Sequence, residues 1–256
     1  MRVVRPHGGL FDVKTLAVMS RKGGSGKTTV AVNLTLAARA RGVKAVLADA
    51  DPLRSACEVL RDRADAASLL FETSPAKLFA LTEACRRAGA ELLIIDTPAA
   101  PEADVAAAVK AADFCLAVSR PSYLDLAAAV RSVAVIQRLG RDGMIVLNQC
   151  PPSRNGVESP QVIKAFEALR FASLPVATTA LRSRVAYQTA FAQMRSVLET
   201  DARGQAAAEV GELFAQVWRR MRGEVRAPLR TANDDLGHMP PPAPVRPTPM
   251  FISAPR

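Results

Sequence analysis

The sequence predicts an α/β protein, a single domain built on a doubly wound, mainly parallel sheet. Three observations carry that prediction. Short apolar runs alternate with helix-patterned segments along most of the 256 residues. A glycine- and lysine-rich loop stands between the first apolar run and the first helix pattern. Two acidic turns then follow later apolar runs, where a doubly wound sheet presents ligands beyond the carboxyl ends of its strands.

The strand-like runs are Thr15 to Ser20, Ala45 to Ala48, Leu92 to Ile95, Phe114 to Ser119, Met144 to Leu147 and Leu174 to Thr178. Each is short and bounded by turn residues or charge, as buried parallel strands are. Among the helices, Ala31, Leu34 and Ala38 share one face after the loop. Ser74-Pro75 reads as an N-cap and first-turn pair before Leu78, Leu81 and Cys85, and Gly89 stops that helix. Leu126, Val130, Val133 and Gln137 before Gly140 repeat the pattern. Val210, Leu213, Phe214, Val217 and Met221 predict a last helix whose stripe packs on the sheet.

These elements divide the chain into an N-terminal extension (1–13), a folded α/β domain (14–222) and a tail (223–256) that holds eight of the 18 prolines and is expected to be disordered or extended. The composition, 49% hydrophobic and 5% aromatic, supports a sizeable core of Ala, Val and Leu and excludes global disorder. Lys and Arg total 34 against 24 Asp and Glu, a net charge of +10. The tail contributes only +1 (Arg226, Arg230, Arg246 and Arg256 against Glu224, Asp234 and Asp235), which leaves +9 on residues 1–222. An excess of that size on a folded domain suits a polyanionic partner, nucleic acid or an anionic membrane surface. The four cysteines, Cys57, Cys85, Cys115 and Cys150, have neither metal-site nor disulfide spacing, and no run has signal-peptide or membrane-spanning character, so a cytoplasmic protein with reduced thiols is expected.

Arg21-Lys22-Gly23-Gly24-Ser25-Gly26-Lys27-Thr28-Thr29 has the chemistry of a phosphate cradle. Glycines let successive N–H groups turn inward and the helix N-terminus adds positive dipole. Lys27 can reach the β and γ phosphates, and the Thr28 hydroxyl can face Mg²⁺. The strict pattern with a first glycine fails at Arg21, and Lys22 is an additional lysine. Asp49-Ala50-Asp51-Pro52 and Asp96-Thr97-Pro98 are the two acidic turns, Asp96 in the manner of a Walker B carboxylate.

Together these motifs, with Pro121-Ser122, Val146-Leu147-Asn148 and the stretch from Arg182 to Glu199, resemble the deviant-Walker P-loop ATPases of the ParA/MinD family, and most closely small ParA proteins without an N-terminal helix-turn-helix. The resemblance spans roughly Thr15 to Met221. It implies that Lys22 crosses an ATP-sandwich homodimer to the partner's nucleotide and that Lys27, Thr28 and Thr29 with Gly23, Gly24, Ser25 and Gly26 bind ATP or ADP. It makes Asp51 the catalytic aspartate, Asn148 the adenine reader, and Thr28, Asp49 and Asp96 the residues around Mg²⁺. It further implies slow ATP hydrolysis stimulated by a ParB-like adaptor, non-specific DNA binding in the ATP state, and positioning or segregation of a plasmid, chromosome region or protein assembly on the nucleoid. Arg182, Arg184, Arg195, Arg219, Arg220 and Arg222 are the DNA-contact candidates. Leu53 and Met194-Arg195 depart from the family pattern, at a glutamine and at a glycine-containing turn respectively.

Two other readings compete. Trp218 among Arg219, Arg220 and Arg222 is compatible with a MinD-like membrane-associated ATPase. A metabolic P-loop enzyme fits less well, because the iron–sulfur kinds need a close cysteine pair and ligases have no use for Lys22.

Overall fold

A computed structural model describes residues 13–99 and 102–224. They belong to one compact unit, Met1–Val225; the second unit, Arg226–Arg256, lies outside the described residues. The expected extension up to residue 12 and the proline-rich tail from residue 225 therefore also lie outside them.

Six parallel strands form one sheet: β1 (Lys14–Met19), β2 (Ala45–Asp49), β3 (Leu70–Glu72), β4 (Leu92–Asp96), β5 (Phe114–Ser119) and β6 (Asp142–Leu147), in the order β3-β2-β4-β1-β5-β6. Every residue of β2, β4 and β5 is buried, which explains why they read as near-continuous apolar runs instead of alternating ones. From β1 the chain crosses to one side of the sheet to form β2, β3 and β4, and then to the other side for β5 and β6. That reversal opens a crevice above the carboxyl end of β1, where the glycine-rich loop stands.

Helices cover both faces. On one, Leu16 and Val18 of β1 meet α1 (Lys27–Arg39) and the last helix, α10 (Gln205–Met221), through Leu34, Phe214 and Val217. On the other, Ala17 and Met19 meet α5 (Glu102–Ala111), α6 (Tyr123–Arg138) and α7 (Pro160–Leu169). On that face too, Val46 and Leu93 pack with Cys85 of α4 (Leu78–Arg87). Alternate residues of one strand thus feed opposite cores. Short helices fill the connections: α2 (Ser55–Leu60), α3 (Ala66–Leu69), α8 (Val185–Ala192) and α9 (Val197–Thr200).

Two expectations are corrected and one strand is added. Leu174 to Thr178 is not a strand. It forms one bridge, Ile145 to Val176, and covers the outer edge of β6 through Ile145 N–H to Pro175 O (2.8 Å) and Ala177 N–H to Ile145 O (2.7 Å). Pro175 has no N–H to continue a ladder, so this edge is sealed without extending the sheet. The edge strand at the other end, β3, was not anticipated, because three residues are too few to show a period. The buried face of α6 is Asp125, Ala128, Ala129, Ser132, Val133, Val135 and Ile136, while Val130 and Gln137 of the expected stripe are exposed. The Ser74-Pro75 start is a 3₁₀ turn, Pro75–Lys77, leading into α4. Gly89 and Gly140 take the left-handed conformation just beyond helix ends, as stop residues do.

Candidate functional site

The loop of residues 20–26 joins β1 to α1 at the crevice. Gly24 (φ 73°) and Gly26 (φ 87°) are left-handed on either side of Ser25, an alternation that turns successive amides to one side. Gly26 has a second reason to lack a side chain: a Cβ there would collide with the Asn148 carboxamide.

Lys27, the first residue of α1, is buried. Burial pulls its ammonium below the ordinary lysine range, against the opposing pull of Asp96 and Asp51. Asp96 ends β4 beside Asp49 at the end of β2, the two being cross-strand neighbours. Their carboxylates are used differently. Asp49 accepts the Asp51 N–H (3.2 Å) on one oxygen and the Cys57 N–H (3.0 Å) on the other, so it ties the turn after β2 to α2. Neither oxygen of fully buried Asp96 has a well-formed hydrogen bond. The Asp96 carboxyl is raised to about 7: burial is the main cause and Asp49 and Asp51 add to it, against the nearby Thr28 hydroxyl and Lys27, which favour the charged form. An unpartnered buried carboxylate beside a threonine hydroxyl and a lysine fits a hydrated Mg²⁺. Asp96 and Thr28 are thus brought together for such an ion, whereas Asp49 has both oxygens engaged by the backbone. Among the described residues no group of three or more His, Cys, Asp or Glu side chains forms a metal cage.

Asp51 sits half-buried on the turn, its carboxylate accepting the Leu53 N–H (2.9 Å). Arg54, left-handed at φ 52°, holds that turn to the strand after it by donating to the Asp49 carbonyl (2.7 Å) and the Thr73 carbonyl (2.6 Å). Lys22 donates to the carboxylate of Asp125 (3.0 Å), whose other oxygen accepts from Arg120 (3.1 Å) and which also takes the Ser122 hydroxyl. Burial alone would raise the Asp125 carboxyl; Ser122, Lys22 and Arg120 together hold it below the usual range. Asp125 was missed at the sequence level, although Ser122-x-x-Asp125 has helix-start spacing. Asn148 is buried at the end of β6 and donates to the Ser25 carbonyl (2.8 Å). Thr29, on the first turn of α1, accepts through its carbonyl from Asn33, whose side-chain oxygen in turn takes the Val197 N–H (3.0 Å).

The six arginines are not gathered on one patch. Arg182 makes a bidentate pair with Glu158, and Arg184 pairs with Glu209 of α10. Arg219, Arg220 and Arg222 stand at the other end of α10, beginning ten residues beyond Glu209 and so about 15 Å along the axis. Arg195 is exposed on the turn after α8, where Met194 takes φ 55° at the position of the family's glycine-containing turn and gives its carbonyl to Arg63 (2.7 Å). Trp218 is half-buried, stacked on Phe214 with ring centroids 6.0 Å apart and packed against the core. A cavity of about 600 Å³ lies at the opposite, amino-terminal end of β2 and includes none of the candidate residues. No described helix is long and apolar enough to cross a membrane.

Residues 16–222 match the family model described as CobQ/CobB/MinD/ParA nucleotide binding domain. The chain is 32% identical over 217 residues to maintenance of carboxysome distribution protein A of Gloeobacter kilaueensis, covering 81% of this chain and 96% of that one. Among solved structures, apo McdA from Cyanthece superposes with a TM-score of 0.67 at 19% identity, covering 81% of this chain and all of the other. The septum site-determining protein MinD complexed with Mg-ADP from Pyrococcus horikoshii also gives 0.67, at 17% identity, covering 84% of this chain and all of the other. At those identities the two superpositions establish the fold alone, a six-stranded parallel sheet flanked by helices.

Proposed function

Because the chain belongs to the CobQ/CobB/MinD/ParA nucleotide-binding domain family, we propose that it is a dimerising ATPase that binds non-specific DNA in its ATP state and positions a cargo, with hydrolysis releasing it. The observation that carries this reading is the left-handed Gly24 and Gly26 cradle with buried Lys27 beside the unpartnered Asp96 carboxylate. Phosphates lie against the amides of residues 23–28, and Lys27 neutralises their charge. Thr28 and Asp96 would hold Mg²⁺, which would supply charge neutralisation at the transferred phosphate. Asp51, on the exposed turn, orients the attacking water, and Asn148 meets the adenine.

Lys22, parked on Asp125 in the free chain, is the cross-dimer lysine. Exposed Leu53, next to Asp51, and exposed Tyr123 and Leu124, next to Asp125, give the same face an apolar rim for a second copy. In the dimer, contacts from Arg195, Arg219, Arg220 and Arg222 are doubled toward DNA phosphates. A ParB-like adaptor stimulates turnover, and the protein resides in the cytoplasm on the nucleoid. Likeness to a protein named for carboxysome distribution favours a protein assembly as the cargo over a plasmid.

The test is co-sedimentation with non-specific double-stranded DNA at low and high salt, without nucleotide and with ADP, ATP or a non-hydrolysable analogue. Salt-sensitive binding that requires ATP or the analogue is expected. Binding indifferent to nucleotide reduces the basic surface to simple electrostatics, and no binding in any state overturns DNA as the matrix.

A further inference from the structure

Residue 149 stands just past the expected adenine reader and played no part in the sequence reading. Gln149 is left-handed, φ 53°, a conformation that few non-glycine residues adopt. In that conformation its side chain turns back to the glycine-rich loop and donates from Nε2 to the Gly24 carbonyl (3.0 Å). Its neighbour Asn148 donates to the next carbonyl, that of Ser25 (2.8 Å). Two successive side chains thus hold two successive carbonyls of the loop.

A trans peptide is planar, with its C=O and N–H pointing in opposite directions. The Gly24 carbonyl shares a peptide with the Ser25 N–H, and the Ser25 carbonyl with the Gly26 N–H. Drawing both carbonyls toward residues 148 and 149 aims both amides the other way, to the side an anion nest offers its ligand. We propose that Gln149 is a positioning residue for phosphate binding, one arm of a clamp that pre-sets the Ser25 amide while Asn148 pre-sets the Gly26 amide. Gly23 and Gly24 have no side chain to fix their backbone, and a Cβ at either would meet nothing within 4 Å. Glycine freedom that lets the amides converge also lets them diverge, and the clamp removes that freedom before the ligand arrives.

This inference deepens the nucleotide-binding reading and rests on it, but its test has a readout of its own. Gln149→Ala and Gln149→Gly are compared with the wild-type chain; the glycine variant removes the donor while relieving the left-handed backbone, so its melting temperature is not lowered. Affinity for ATP and for inorganic tripolyphosphate is measured by displacement of a fluorescent ADP. Amide hydrogen exchange of the peptide spanning residues 20–29 is followed without nucleotide.

The expected result is a loss of about fivefold in both affinities for both variants, the size of one neutral hydrogen bond, with faster exchange in that peptide. Affinities equal to wild type, a loss for ATP that spares tripolyphosphate, or unchanged exchange overturns the clamp. Failure of the wild-type chain to bind ATP overturns the nucleotide-binding reading instead, and the exchange measurement still decides whether Gln149 holds the loop.

Discussion

Replacing Asp125 by asparagine tests the parking of Lys22. The Lys22 ammonium lies 3.0 Å from a carboxylate that is 2% exposed, while its own side chain is 34% exposed. The partial exposure of the lysine places the pair at the upper end of surface ion pairs, about 1 kcal/mol, and well short of a buried one. To reach a second nucleotide, Lys22 must leave Asp125, so each protomer gives up that 1 kcal/mol when the dimer closes. Asparagine removes the cost twice per dimer, about 2 kcal/mol, or roughly thirtyfold tighter dimerisation. The assay is sedimentation velocity across a concentration series with a non-hydrolysable ATP analogue. Urea unfolding of the nucleotide-free chain serves as a control, because the carboxamide keeps only one acceptor oxygen for the donors of Arg120 and Ser122 and a cost of about 1–2 kcal/mol is expected there. A variant that is destabilised as expected but dimerises no more tightly than wild type refutes the reasoning and leaves Asp125 a merely structural acid.

Gly26→Ala places a Cβ at φ 87° against the Asn148 carboxamide; nucleotide affinity, measured calorimetrically, is expected to fall at least about tenfold, since left-handed strain of about 1–2 kcal/mol adds to the displaced hydrogen bond. Lys27→Ala abolishes nucleotide binding in the same calorimeter, while Asp51→Ala binds ATP but releases no phosphate and remains on DNA; wild-type turnover in the Asp51 variant removes that residue from the mechanism. Arg63 hydrogen-bonds Asp65 and holds its carboxyl below the ordinary range, and it also pairs with Glu199. A depressed carboxyl contributes stability in full above its unfolded value and loses it as pH falls through the folded value, so the difference in unfolding free energy between wild type and Arg63→Met, read from urea titrations, is widest near neutrality, about 1–2 kcal/mol, and narrows in acid. Arg182→Ala lowers the melting temperature, because Glu158 loses a bidentate partner, whereas Arg219→Gln, on a half-exposed side chain paired with Glu212 only at 4.0 Å, lowers it less and weakens ATP-dependent DNA co-sedimentation.

Much of the fold was readable along the chain. Parallel strands such as Leu92–Asp96 are buried on both faces and so appear as unbroken apolar runs, and the α10 stripe repeats every three to four residues. The same logic failed at Leu174 to Thr178, which is apolar because it caps an edge, and at β3, whose three residues take their strand geometry from β2. In α6 the spacing placed Val133 and Leu126 against the core but not Val130 and Gln137, because the small residues Ala128, Ala129 and Ser132 share the buried face.

The identity of the phosphate loop was a local matter, since a cradle of amides between a strand and a helix needs only consecutive residues with the right backbone freedom. From the sequence alone, therefore, came the loop of residues 22–29, the acidic turns after β2 and β4, and the parallel α/β class. What carries no sequence signal is how distant charges are shared. Lys22 finds Asp125 103 positions away, the carbonyl of Gly24 finds Gln149 125 positions away, and Glu158 and Glu209 take up two arginines that looked free for DNA. Hydrogen bonds and ion pairs act over a few ångströms, so their partners are set by which strand ends the sheet order places side by side, and only the tertiary structure decides that.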